Sequence, residues 1–259
     1  MGDVPVTITI KAAASQKIQA FRAMEKSYEI AKQIEKKVSE FQPTSQTSLI
    51  NKNDNKKWSA IGEDLLMILS TSKKISKLTN GSFDVTFASK NPNASYLDLI
   101  VDEARKRVLL KRPNMKIGVS APAKGYILDQ MTAVLKKEGF THFIVNGGGD
   151  LVAAGAWIIR IRDSHTFFHL KNQAAMSSGL LERGHHIINP RTHMPVNPDY
   201  LSVTVIAPSG IVGDPLAVGA FVAGLEETKK FLSRVTETEA FFLYGNKTLK
   251  LGNKKTIQR

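Results

Sequence analysis

The chain has 259 residues, 42% of them hydrophobic and 23% charged, which is the composition of a globular protein long enough to bury a core. It contains no cysteine, so disulfides, thiolate metal sites and cysteine nucleophiles are excluded, and no apolar run is long enough to span a bilayer. The formal net charge of +13 favours anionic partners. Many of the lysines (Lys17, Lys26, Lys32, Lys36, Lys37) fall on a helix whose other face is apolar, and others sit in Arg105-Lys106-Arg107 and the Lys254-Lys255 tail. No aromatic residues alternate with them as on a base-stacking surface, so these charges read as solvated faces and no nucleic-acid partner is expected.

In chain order, Val4 to Lys11 alternates like a strand. From Ser15, Ile18, Phe21, Met24, Ala31, Ile34, Val38 and Phe41 recur at helical spacing until Gln42-Pro43-Thr44 stops the pattern. A loop rich in Ser, Thr and Asn runs through Asn55, and a second helix covers Gly62 to Leu78 before Asn80-Gly81, a pair suited to a left-handed cap. The segment Phe83 to Phe87, a polar loop and a hairpin around Val101 to Leu110 follow. A third helix is expected from Tyr126 to Lys137, then a buried strand over Thr141 to Val145.

Asn146-Gly-Gly-Gly-Asp150 comes directly after that strand, and its glycines suit either a tight turn or a close approach of backbone to a ligand. A hairpin is expected over Trp157 to Arg162 and Thr166 to Leu170, and a strand over Ser202 to Ala207. Gly213 to Ala223 reads as a helix with Asp214 at its cap and Pro215 in its first turn. A short helix near Glu226 to Arg234 and strands Ala240 to Tyr244 and Thr248 to Leu251 close the chain. One α+β domain over residues 1–259, mostly antiparallel sheet with flanking helices, is the simplest account.

The stretch from Met176 to Pro195 mixes Ser177, Ser178 and Gly179, the histidines His185 and His186, and Pro190-Arg-Thr192 with apolar Ile187-Ile188. It reads as a strand end opening onto a polar site. Its imidazoles suit a general base, a phosphate contact or a metal ligand, or else one core and one surface histidine.

Six segments in order carry a resemblance. They are Ser45-Gln-Thr-Ser-Leu-Ile-Asn51, Gly81-Ser-Phe-Asp-Val-Thr86, Ala123-Lys-Gly125 with Asp129, Asn146-Gly-Gly-Gly-Asp150, Ser178-Gly179 through His186 to Pro195, and Val203-Thr-Val-Ile-Ala-Pro followed by Asp214. The chain resembles the ApbE family of flavin transferases from about Met1 to Gly224, with Met1-Gly2 like the start of the family's opening strand. The resemblance implies the ApbE-like flavin transferase fold, with the flavin cleft between two lobes. It implies that FAD is cleaved with Mg2+ and that FMN is attached to a threonine of an acceptor protein, releasing AMP. The acceptor would be a redox subunit handling electron transfer.

By the same resemblance Asp214 would ligate the metal with a backbone carbonyl near Ala121, and His186 would accept the proton of the attacking hydroxyl. Lys124 would meet phosphate or fix its loop, and Ser45 and Asn51 would lie along the isoalloxazine or ribityl part. Asn146, Gly148, Gly149, Asp150 and Thr192 would shape the nucleotide cleft, with Asp84, Ser178 and Gly179 completing the cofactor-binding set. The family is usually exported and often tethered through a lipid-bearing N-terminal cysteine; this chain shows neither leader nor cysteine, and the cell envelope is the expected location.

The chain departs from the family pattern at several positions. Val218 stands where a threonine would join the metal shell, Gly118 where an acidic residue would precede Ala-Lys-Gly, and Ser120 at the glycine two positions on. Gln46, Asn189 and His193 replace a glutamate, an aspartate and a glycine. A FAD pyrophosphatase, or a carrier that retains FAD without turning it over, would use the same fold.

Overall fold

The computed structural model describes residues 5–53, 57–181, 184 and 186–252. Met1-Gly2, Asn55, His185 and the Lys254-Lys255 tail lie outside the described residues. Among the described residues twelve strands and five α-helices follow in chain order: β1 (Val6–Ile10), α1 (Lys17–Val38), α2 (Gln46–Lys52), β2 (Ser59–Ala60), α3 (Glu63–Leu78), β3 (Leu99–Asp102), β4 (Arg107–Leu110), α4 (Ser120–Lys137), β5 (Phe143–Gly147), β6 (Asp150–Ala154), β7 (Ala156–Arg160), β8 (Phe167–Lys171), β9 (Ala174–Gly179), β10 (Ser202–Ala207), α5 (Gly210–Leu232), β11 (Glu239–Tyr244) and β12 (Lys247–Leu251).

The central sheet is antiparallel throughout, in the order β1-β5-β6-β9-β10-β11-β12, so the expected α+β class with a mostly antiparallel sheet is found. Because side chains alternate across a strand, each central strand serves two cores. Val145, Val152, Ala174, Met176, Val203, Val205 and Phe242 face the helices, where α4 and α5 cover the sheet and α1 and α3 pack against those two helices. Ala153, Ala175, Ile206 and Phe241 face the other way and are covered by the β7–β8 hairpin through Phe168 and Leu170. This two-sided burial explains why all six residues of β10 are buried. A small sheet, β2-β4-β3, packs beside α3. No helix among the described residues is long and apolar enough to cross a membrane.

The structure revises several expected elements. Helix α1 stops at Val38, and Ile18, Phe21 and Phe41 are exposed; the buried stripe is Ala20, Ala23, Ser27, Ile34 and Val38, whose small first three residues let α4 pack closely, with Ser27 Oγ donating to the Met131 carbonyl at 3.3 Å. The expected loop before Asn55 contains α2, whose N-cap Ser45 accepts the Ser48 N–H at 3.0 Å. Residues 83–87, for which no conformation was expected, form a bend and turns. Helix α4 begins at Ser120, six residues before the expected start, so Ala123-Lys124-Gly125 is helical. Helix α5 begins at Gly210 after the N-cap Ser209, so Asp214 is not a cap and Pro215 lies beyond the first turn. Gly224, at φ 78°, breaks α5 and divides its two halves.

A cleft around a buried lysine and two carboxylates

A cleft of about 560 Å3 opens between α4, α5 and the strand ends of the central sheet. Its floor is set by the crossing of α4 and α5. Asp129 on α4 accepts the Gly210 N–H at 2.7 Å and the Ile211 N–H at 2.9 Å, which satisfies two orphan donors at the start of α5. One turn further along α5, Asp214 is 1% exposed and lies 3.5 Å from the Lys124 ammonium. Lys124 is also ion-paired with Asp150, which is 5% exposed.

Asp150 does a second job. It opens β6, and its Oδ1 accepts the Ser177 N–H at 2.6 Å, where β6 has not yet begun its ladder with β9. Ser177 then shares a 2.9 Å hydroxyl contact with Thr204 on β10. The turn joining β5 to β6 places Gly148 and Gly149 at φ 68° and 99°, both left-handed, so the hairpin closes in two residues. Asn146 Oδ1 accepts the Gly149 N–H at 2.8 Å, and a Cβ on Gly149 would meet nothing within 4 Å. Of the two readings of the Asn146–Asp150 run, the tight turn is realised and its outer side is open to the cleft.

The electrostatics follow from burial. Burial raises the Asp214 pKa and Asp150 adds to the rise, while Lys124 and the Gly125 N–H oppose it. Burial alone would lower the Lys124 pKa, but Asp214 and Asp150 outweigh it and hold the ammonium above the usual lysine value. Lys124 therefore stays charged in a site with two carboxylates to share. Among the described residues Asp214 Oδ2 is buried without a hydrogen bond, and the Lys124 ammonium 3.5 Å away is its ion-pair partner.

Lys124, Ala121, Asn146, Gly148, Gly149, Asp150, Ser178, Gly179, His186 and Asp214 all line this cleft. His186 is exposed at its edge, with Nδ1 3.0 Å from the Gly184 carbonyl oxygen. Ser45, Asn51, Asp84 and Thr192 do not line it. Ser45 caps α2; Asn51 clamps Ile117 through its Nδ2–H and Oδ1, both bonds 2.8 Å long. Asp84 ties its own turn to the Thr86 and Tyr96 N–H groups, and burial raises its pKa against those bonds. Thr192 is exposed in a turn whose Arg191 bonds the Asn80 carbonyl. Sequence reasoning missed the apolar part of the wall: Ile159, Ile161 and Phe168 from the β7–β8 hairpin, with Arg160 and Arg162 beside them. It also missed Glu35 and Glu40 at the end of α1. Strand alternation in 157–162 carried the signal for the first group.

For a hard cation, among the described residues no cluster of three or more His, Asp or Glu is present. The oxygens beside the ammonium include Asp214 Oδ2, which has no hydrogen bond among the described residues, and the Asp150 carboxylate, with further oxygens in the wall at Ala121, Ser177 and Ser178. Mg2+ commonly takes one or two carboxylates together with waters and substrate phosphates, so this sparse set fits it. Val218 lines the same wall and offers no oxygen.

A model of the ApbE family matches residues 3–242. A FAD:protein FMN transferase of Klebsiella pneumoniae (strain 342) is 27% identical over 176 residues, 62% of this chain and 56% of that protein's length. One of Buchnera aphidicola subsp. Schizaphis graminum (strain Sg) is 24% identical over 241 residues, 75% of this chain and 71% of the relative. Among solved structures, the flavin transferase ApbE from Vibrio cholerae matches with a TM-score of 0.81 at 19% identity, covering 95% of this chain and 93% of the other. The apbe protein from Thermotoga maritima matches at 0.79 and 22% identity, covering 95% and 97%. The fold is shared across all of this length.

Proposed function

The chain belongs to the ApbE family, and from that premise we propose that it is an FMN transferase: it takes FAD, attaches FMN to a threonine hydroxyl of an acceptor protein with the help of Mg2+, and releases AMP. The observation that carries this reading is the Lys124 ammonium, held between buried Asp150 and Asp214 at the floor of a cleft whose edge bears the exposed His186. The names of the relatives from Klebsiella and Buchnera support the same activity.

In this reading the pyrophosphate of FAD lies beside Lys124, and the two-glycine turn at Gly148-Gly149 lets the dinucleotide approach the backbone. The acceptor hydroxyl attacks the phosphorus of the FMN half. A new oxygen–phosphorus bond forms, the bond from that phosphorus to the bridging oxygen breaks, and AMP leaves with the bridging oxygen. His186 takes the hydroxyl proton, because threonine is a poor nucleophile while protonated. Asp214 Oδ2 and the backbone at Ala121 would hold the metal ion, which supplies positive charge against the phosphate oxygens. The acceptor would be a redox subunit, and the cell envelope the place of action.

A second reading is favoured by one observation. Val218 lines the wall that carries Asp214 and presents methyl groups where an oxygen would strengthen a cation site. A carrier that holds FAD intact would tolerate this.

The deciding experiment incubates the protein with FAD and Mg2+, with and without a threonine-bearing acceptor, and follows AMP. Flavin-labelled acceptor with AMP that appears only in its presence is the expected result. AMP without acceptor would make the protein a pyrophosphatase, and retained intact FAD would make it a carrier. Val218→Thr should raise metal affinity; no change in either metal binding or turnover would overturn the assignment of the metal wall.

A further inference from the structure

Glu40 follows the last turn of α1, and its segment is pinned to α2 by two hydroxyls. Thr47 Oγ1 donates to the Val38 carbonyl at 2.7 Å, and Ser48 Oγ to the Glu40 carbonyl at 3.0 Å. The Glu40 side chain thereby enters the wall of the cleft. Its Oε1 accepts the Ser120 N–H at 3.2 Å, the first residue of α4. Its Oε2 lies 2.9 Å from where a Cβ on Gly118 would stand, and the Phe87 ring would lie 2.6 Å from the same point. Gly118 is bare because Glu40 and Phe87 already fill the space of its side chain.

An acid in a cleft for a phosphate ester needs a reason. Ser120, which Glu40 touches, is one helical turn before Lys124, so phosphates at Lys124 leave Glu40 facing an uncharged part of the ligand. Phe41, the next residue, is exposed and lines the same cleft, which is the company of a flat ring rather than of a phosphate. Resting on the flavin-transferase reading, we propose that Glu40 recognises the substrate, its carboxylate accepting a hydrogen bond from the N–H edge of one ring system of the dinucleotide. The isoalloxazine imide and the adenine amino group share this chemistry.

Glu40→Gln tests it, because the amide fills the same volume and still accepts the Ser120 N–H. Affinities for FAD, FMN and ADP would be measured by flavin fluorescence and competition, together with the melting temperature. FAD affinity should fall roughly tenfold, the scale of one charge-assisted hydrogen bond, with the melting temperature unmoved. The loss should fall on FMN alone if the isoalloxazine is the donor, or on ADP alone if adenine is. Unchanged affinities would overturn the proposal, as would an equal loss for FMN and ADP accompanied by a lower melting temperature, which would mark Glu40 as a cap of α4 only. Wild-type protein that binds none of the three ligands would instead sink the flavin-transferase reading itself.

Discussion

Gly125 and Gly210 meet backbone to backbone where α4 crosses α5. A Cβ on Gly125 would run into the Gly210 carbonyl, and one on Gly210 would come within 2.5 Å of the Gly125 carbonyl oxygen. This contact, with the Asp129 bonds beside it, sets Lys124 against Asp214.

Gly125→Ala should therefore act twice. The added methyl forces the helices apart, costing about 1–3 kcal/mol of stability on the scale of an overpacked core. Because the separation falls between Lys124 and Asp214, FAD affinity should drop with it. Denaturant unfolding and flavin titration on the same variant check both; a stable variant with normal binding would refute the crossing as the support of the site.

Lys124→Met removes the charge that Asp150 and Asp214 share. Stripping one partner from a buried ion pair costs about 3–5 kcal/mol, and the low end applies here because burial already raises the Asp214 pKa toward neutrality. The variant should unfold at lower urea and lose nucleotide affinity. Restoring charge with Lys124→Arg should recover stability only in part, since the fork of a guanidinium does not fit a pocket shaped for an ammonium.

Asp129 gives the pH dependence. Its pKa is raised from 3.8 to about 6, chiefly by burial, with the Ile211 and Gly210 N–H groups opposing. A carboxyl that binds its proton more tightly when folded adds stability below the unfolded value and loses it as pH rises through the folded one. Stability should thus fall between pH 4 and pH 6 by up to about 3 kcal/mol from this residue. Asp129→Asn should flatten that fall in urea titrations at pH 4, 5, 6 and 7; an unchanged slope would assign the pH dependence elsewhere.

His186→Ala should leave the melting temperature where it is, because the ring is exposed and among the described residues its hydrogen-bond partner is the Gly184 carbonyl. Transfer to the acceptor should slow by about 10²–10⁴, the usual worth of a general base, with FAD binding intact. Loss of FAD binding instead would make the imidazole a ligand contact.

The sequence made the sheet legible because β10, β11 and the β7–β8 hairpin carry apolar runs or alternation that no helix would show. It hid α2, since Ser45 to Asn51 has the polar composition of a loop and helical capping at Ser45 depends on a single hydroxyl. It misplaced Asp214 for a related reason. Asp followed by Pro is a common helix start, yet here Ser209 begins α5 and Pro215 is accommodated in a helix interior whose neighbours bury it. Lys124, Asp150 and Asp214 were each visible as chemistry, but their convergence on one another was not: it depends on a crossing of α4 and α5 that is 85 residues apart in the chain at Gly125 and Gly210. Glu40 left no local trace, because what makes it part of the cleft is the vacancy at Gly118.

The break at Gly224 gives α5 two separate fates under thermal fluctuation. Tyr200 Oη donates to the Phe221 carbonyl at 2.8 Å and so latches the end of the half that carries Asp214. Opening of residues 225–232 would stop at that latch, so amide exchange can run through the second half of the helix while the carboxylate on the first stays in register with its lysine.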